Sequence, residues 1–338
     1  MKENRKRNEE AEGMRKDSVR VPSARRVCLE RQDMKKTRHV CYYKSIWKWN
    51  GALMALPGIV LIVVFIIVPF LMNVGYAFTD YNTASDVPRF IGLTNFRNMA
   101  KDRDFWLVCT NTLKLILTYV IGGNVIAILL GVMITNVGRK FGNFVKTSIY
   151  FPQLLSMVVV GFLWRIMFSY NNGPINHFLE WIGVPPDLLP QWLGVPALII
   201  PSISTALIWL ISGYYSIIYH AGMMNIPMSY YEVSAIEGAS KWQEFVHVTL
   251  PFLAPSITIN TVLLTVESLS AFAVPASMTG GGGPGRYGTT LALWSYTTYF
   301  NNHQYGKAIA ISVVLGLFAV VLAFIELKIL LKKEVGNS

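Results

Sequence analysis

Charge is scarce in this 338-residue sequence. Asp, Glu, Lys and Arg make up 14% of it, against about a quarter in ordinary soluble domains. With 53% hydrophobic residues and a mean hydropathy of +0.41, that scarcity excludes a typical cytosolic enzyme. Cysteine is also sparse. Cys28, Cys41 and Cys109 are odd in number, widely spaced and in no CxxC pattern, which excludes a disulfide scaffold. The five histidines (His39, His177, His220, His247, His303) are scattered, so no metal site is expected, and a polytopic membrane enzyme lacks its usual acid–histidine cluster. A GxxxxGK[ST] phosphate loop is missing. The Gly280–Gly285 run has no Lys-Ser/Thr ending, so it reads as a turn. Disorder fails as well, because too much apolar surface would stay unburied.

What is abundant is apolar helix. A bilayer core needs about 20 apolar residues per helical crossing, and six stretches qualify: about 52–78, 112–135, 148–168, 197–219, 256–277 and 307–331. Pro69, Gly122, Gly123, Asn124, Pro201 and Asn260 interrupt them. Such residues are tolerated where neighbouring helices satisfy the freed backbone groups. The expected fold is therefore all-α, a polytopic bundle of six transmembrane helices.

The N-terminal tail, residues 1–48, holds 15 Lys/Arg against 7 Asp/Glu and reads as a solvated basic tail near anionic headgroups. Met14 and Met34 are alternative starts within it. No RNA-reading module follows, so no nucleic-acid partner is expected; membrane lipid is. Placing both termini inside (N-in, C-in) puts 22 Lys/Arg on the cytoplasmic side and 8 outside. Without the tail the count is 7 against 8, so the orientation rests on it. The outer segment 170–196 lacks Lys and Arg but holds Trp181 and Trp192, which suits a short interfacial element. Residues 334–338 form a C-terminal tail.

The loop at about 226–254 is too polar to cross a membrane, yet it is patterned. Pro227 and Ser229 open a helix that places Tyr231, Ala235 and Ile236 on one face. Gly238 ends it, as a residue free to take positive φ does. A second short helix sets Trp242, Phe245, Val246 and Thr249 against Lys241, Gln243 and Glu244, and Pro251 introduces the next span. Two readings are open: a structural helix pair, or a pair offering its apolar side to a partner.

Glu232-Val233-Ser234, three residues, Gly238, nine residues and Val248-Thr249-Leu250-Pro251 resemble the EAA motif of ABC-importer permeases, with Val and Ser for two alanines and Val for Ile. Segments LPGIVLIVVFIIVPFLMNVGYAFTDY, FIGLTNFRNM, YNNGPINHFL and SMTGGGGPGRYGTTLALWSYTTYF are similar to the maltose-permease-like branch of that family. The resemblance spans most of the chain after Lys48 and implies a permease domain over 49–333. It also implies a cytoplasmic coupling helix docked on an ATPase dimer, with Glu232, Ala235, Gly238, Trp242, Phe245, Leu250 and Pro251 as coupling residues. Glu232 either caps a helix or pairs with a basic partner residue. By the same resemblance, a second permease subunit and an extracytoplasmic solute-binding protein complete the importer in a bacterial cytoplasmic membrane. This chain is then a transport subunit rather than an enzyme. It holds no cofactor; ATP and Mg belong to the ATPase chains.

The solute implied is a carbohydrate, with an oligosaccharide preferred. Glycerol 3-phosphate and an ion-coupled secondary transporter are the alternatives. An acid inside a membrane is costly and needs a reason. Glu267, expected mid-helix in the fifth span, is therefore a substrate candidate, or else a contact to the partner permease. Ser268 and Ser270 follow it where the family places sugar contacts. Asn260 is a further polar candidate, and Tyr214, Tyr215 and Trp209 are candidates for stacking on a sugar ring. Arg165 is expected to snorkel to the outer interface.

Overall fold

Runs of apolar side chains this long have one favourable solution in lipid, the helix, which satisfies every backbone group internally. The computed structural model describes residues 53–81 and 88–336. The basic tail 1–48, Met14, Met34, Cys28, Cys41 and the last two residues lie outside them. The chain divides at Leu71 into two units. Helix α1, Leu53–Tyr76, carries a π turn at Val63–Ile67.

The elements that follow are α2 (Thr94–Lys101), α3 (Arg103–Asn136), α4 (Arg139–Tyr150), α5 (Met157–Met167), α6 (Pro174–Trp181) and α7 (Pro196–Met224). Then come α8 (Met228–Ile236), α9 (Lys241–Glu244), α10 (Leu250–Phe252), α11 (Ala254–Leu269), α12 (Ala273–Thr279), α13 (Leu291–Phe300) and α14 (Tyr305–Gly336). Among the described residues, four helices are long and apolar enough to cross a bilayer: α1, α3, α7 and the Tyr305–Ile329 part of α14. Two bent pairs raise the number to six if each counts as one crossing.

The first bend, and a break beyond Leu269, correct two of the spans read from hydrophobicity. The stretch 148–168 is not one helix. Pro152, which has no N–H to donate, sits in a 3-10 turn at Phe151–Leu154, and Leu155 and Ser156 are extended. The two arms, Phe141–Leu154 and Met157–Met167, stand at 99°. The stretch 256–277 is likewise interrupted. Helix α11 stops at Leu269 and α12 starts only at Ala273, while α11 itself makes 68° with the preceding Lys241–Phe252 arm.

Helix α7 is the axis of the bundle, with 61% of its most apolar stretch buried, against 33% for α3 and 22% for α14. It packs along α3, and Ile199, Ile203, Leu207, Leu210 and Tyr215 form the centre of the core. Close approach needs small residues. A Cβ at Gly213 would run into the Ile149 carbonyl, so α4 meets α7 backbone to backbone there.

Hydrogen bonds stitch the helices together. The Asn124 amide of α3 donates to Thr261 of α11 (3.3 Å) and accepts from the Tyr219 hydroxyl of α7. The Asn260 amide donates to the Tyr215 carbonyl (3.4 Å), Thr118 meets Ser204 (2.5 Å), and Thr265 donates to Glu326 of α14 (2.7 Å). Each such bond is worth roughly 0.6 to 2 kcal/mol in a membrane bundle.

The glycine run between α12 and α13 is a turn, as its composition indicates: Gly280, Gly281, Gly282, Gly283 and Gly285 all take positive φ. Asn111 of α3 holds it through the Arg286 (2.9 Å) and Thr289 (3.2 Å) carbonyls, and Arg286 pairs with Asp104 at 3.0 Å.

Candidate functional site

The segment joining α7 to α11 is built from local signals. Pro227 supplies the extended residue before α8 and offers no side-chain cap. At the other end Gly238 has φ +74°, the Ala239 N–H bonds the Ser234 carbonyl (3.0 Å), and the Gly238 N–H bonds that of Ala235 (3.2 Å). That pairing is a Schellman motif with glycine at its left-handed position. A Cβ at Gly238 would meet nothing within 4 Å, so backbone conformation alone demands glycine. Ser240 then starts α9 with a capping box: its backbone N–H bonds the Gln243 side chain (2.8 Å), and its hydroxyl accepts from the Gln243 N–H (3.3 Å). A π turn at Phe245–Thr249 and α10 lead to Leu253, where the chain bends into α11.

A narrow seam and an edge-on ring contact between Tyr230 and Phe252 (4.7 Å) tie α8 to the end of this segment. Tyr231 reaches the Thr249 hydroxyl (3.2 Å), and Ser234 and Thr249 are buried. Tyr231 thus turns inward instead of sharing an open face with Ala235 and Ile236. Outside the seam, large apolar side chains stand in the open: Ile236 is 85% exposed, Trp242 72% and Val233 55%. A cleft of about 350 Å³ runs beside them, lined by residues that include Glu237, Gly238, Gln243 and His247. Glu232 sits within α8, exposed, with no hydrogen bond or ion pair among the described residues, so it caps no helix among them. Ala235 and Pro251 are exposed, and Phe245 and Leu250 half-buried.

The second group of candidates lies on α11 and α7. Glu267 is in the last turn of α11, not mid-helix, because the helix ends at Leu269. It is exposed, and its Oε2 accepts a 2.8 Å hydrogen bond from the Tyr119 hydroxyl of α3. Ser270, one turn on, is exposed with its hydroxyl bonded to the Val266 carbonyl (3.1 Å), and Tyr214 of α7 is 39% exposed, its ring edge-on to Tyr215. Asn260 and Ser268 are both 0% exposed. Asn260 joins α11 to α7, and Ser268 bonds back to the Thr265 carbonyl, so both are packed inside the helix bundle. Tyr215 is buried too, and Trp209 packs on Trp164. Arg165 lies exposed in the last turn of α5.

Tyr119 is the functional neighbour that sequence reasoning missed. An acid in an apolar span demands a donor, but no local spacing points across 148 residues to this one.

Comparison with known proteins agrees with this geometry. The chain is 33% identical to a probable ABC transporter permease protein of Pyrococcus horikoshii, covering 81% of this chain and 93% of that one. It is 29% identical to a probable starch degradation products transport system permease of Thermoanaerobacterium thermosulfurigenes (87% and 97% covered). It is 30% identical to a lactose transport system permease of Rhizobium radiobacter (84% and 94% covered). Among solved structures, a chain of a bacterial alginate ABC transporter in complex with an alginate pentasaccharide-bound periplasmic protein superposes with a TM-score of 0.71. That chain is 26% identical, with 84% of this chain and 95% of that one covered. Residues 123–330, which include both candidate regions, match the family described as binding-protein-dependent transport system inner membrane component. The protein is therefore a multi-pass membrane protein of that family, the permease component of an ABC importer.

Proposed function

We propose that this permease carries a carbohydrate across a bacterial cytoplasmic membrane, with an oligosaccharide as the preferred cargo. Three relatives named for starch products, lactose and diacetylchitobiose support the choice of solute. The observation that carries the mechanism is the exposed apolar surface around Gly238, built on caps and left uncovered by the described residues. In this reading the α4–α5 pair is one crossing and α11 with α12 is another, giving six spans with both termini in the cytoplasm and the α8–α10 segment on that side. Residues 1–48 form a basic tail, and the permease domain covers 49–333.

An ATPase dimer on separate chains supplies ATP and Mg and docks on Ile236, Trp242 and their neighbours Glu232, Ala235 and Gly238. Phe245, Leu250 and Pro251 carry its movement into α11. Because packed helices are bistable rather than continuously deformable, the movement becomes a flip between outward and inward openings. A second permease subunit completes the pathway, and a binding protein delivers the solute. Glu267, Ser270 and Tyr214 face that solute: a carboxylate and a hydroxyl for sugar hydroxyls, and a ring for the sugar's apolar face.

The test is reconstitution with the companion subunits in vesicles. Saccharide-loaded binding protein is expected to stimulate ATP hydrolysis and uptake together. Uptake that proceeds without nucleotide would overturn the reading. Glu267→Gln is expected to shift the apparent saccharide affinity severalfold; unchanged kinetics over a saccharide panel would remove Glu267 from the path.

A further inference from the structure

The segment between α5 and α7 has a surface that neither the core nor the proposed transport path uses. Helix α6 is fixed from one side. Asn176, 2% exposed, donates to the Tyr170 (3.0 Å) and Pro190 (3.3 Å) carbonyls and accepts from the Trp192 indole N–H (2.8 Å). The Trp192 ring in turn packs on Phe168 at the end of α5. With that side held, helical spacing at 100° per residue divides the remainder into two flanks. One flank carries His177 and Glu180, paired at 3.3 Å. The other carries Phe178 and Trp181, 57% and 80% exposed with their rings 5.8 Å apart. Ile182 (56%) and Leu188 (72%) extend it past the Gly183 turn.

We propose that this second flank is seated in the lipid–water boundary, anchoring the α5–α7 end of the bundle against the acyl chains just below the headgroups. Four observations point to lipid as the occupant. The segment runs from α5, the second arm of an apolar bent pair, directly into α7, a helix long and apolar enough to cross a bilayer. The apolar exposure continues onto α5 itself, at Phe162 and Ile166. The exposed arc of this short helix changes from polar to apolar across its width, with Glu180 at one edge and Phe178 at the other, which suits an element lying at a boundary. A tryptophan with an exposed apolar body and a polar indole N–H at its edge is the residue that such boundaries enrich. Residues 169–196 contain no Lys or Arg. The attachment is therefore apolar and does not depend on anionic headgroups.

The experiment uses the full chain in nanodiscs, with the native cysteines replaced by serine and a nitroxide attached at Trp181→Cys, Phe178→Cys or Glu180→Cys in turn. Collision with oxygen, which partitions into lipid, is compared with collision with a water-soluble nickel chelate. Oxygen is expected to exceed nickel severalfold at 178 and 181, with the order reversed at 180. The pattern is expected to be the same in phosphatidylcholine discs and in discs containing phosphatidylglycerol. Nickel dominance at 178 and 181 would overturn the proposal in favour of a water-facing docking surface. Protection from both reagents would overturn it in favour of a protein contact, and dependence on phosphatidylglycerol would overturn the apolar mode of attachment.

Discussion

The α8–α10 segment and the α3–α7–α11 bundle are inside-out versions of each other. In the segment, Ile236 and Trp242 lie open and a short polar seam, Tyr231 to Thr249, is what the fold encloses. In the bundle, Asn124, Tyr219, Asn260 and Ser268 are turned inward while Leu117, Ile121 and Val125 of α3 are exposed. The second pattern is what lipid favours, since acyl chains accept apolar side chains and reject hydrogen-bonding groups. The first pattern is unfavourable in water unless another chain covers it. One exposure belongs to the solvent; the other is where the proposed mechanism seats a partner.

That contrast can be broken most severely at Gly238. Proline cannot adopt φ +74°, so Gly238→Pro is expected to lower uptake at least about tenfold while membrane levels stay normal. Gly238→Asn, which tolerates the left-handed region, is expected to retain most of it. Uptake assays with immunoblotting compare the two, and normal uptake by the proline variant would contradict the assignment. Next in size is the open apolar surface. Ile236→Asp combined with Trp242→Ala is expected to reduce co-purified ATPase about tenfold, roughly 1.4 kcal/mol. The melting temperature of the permease alone should not move, because these side chains touch little of their own chain.

The bundle should answer in the opposite way. Asn124→Leu removes links to both Thr261 and Tyr219 and is expected to cost about 1–2 kcal/mol. A lower melting temperature in detergent, with unchanged ATPase co-elution, would sharpen the distinction. The smallest effect is expected from Ser240→Ala, which deletes half of the capping box at about 1 kcal/mol. Faster amide exchange confined to residues 241–244 would show it, with uptake reduced less than twofold.

Composition and apolar runs made the helical membrane class legible in the sequence, and Pro227, Gly238 and Ser240 did the same for the helix–turn–helix between α7 and α11. Gly238 was readable because a left-handed turn leaves a mark on a single residue. The bends were not. Hydropathy cannot distinguish one straight helix from two apolar arms, so Pro152 and the residues after Leu269 looked like passengers in continuous spans. Nor does an apolar sequence say which side of a helix faces its neighbours, so Asn260 and Ser268 looked like candidates for solute contact although both are packed inside. The Tyr119–Glu267 bond was hidden for a related reason: it is a fact about packing, and packing leaves no local pattern.

Helix α11 joins the two regions, running from the bend at Leu253 to the turn that holds Glu267. Its 16 residues form a stiff bar about 24 Å long. A bar hinged at one end transmits angle rather than distance: a tilt of about 10° sweeps the far tip through roughly 4 Å. The helix stops at Leu269, so in the proposed mechanism such a tilt displaces Glu267 and pulls on its bond to the Tyr119 hydroxyl.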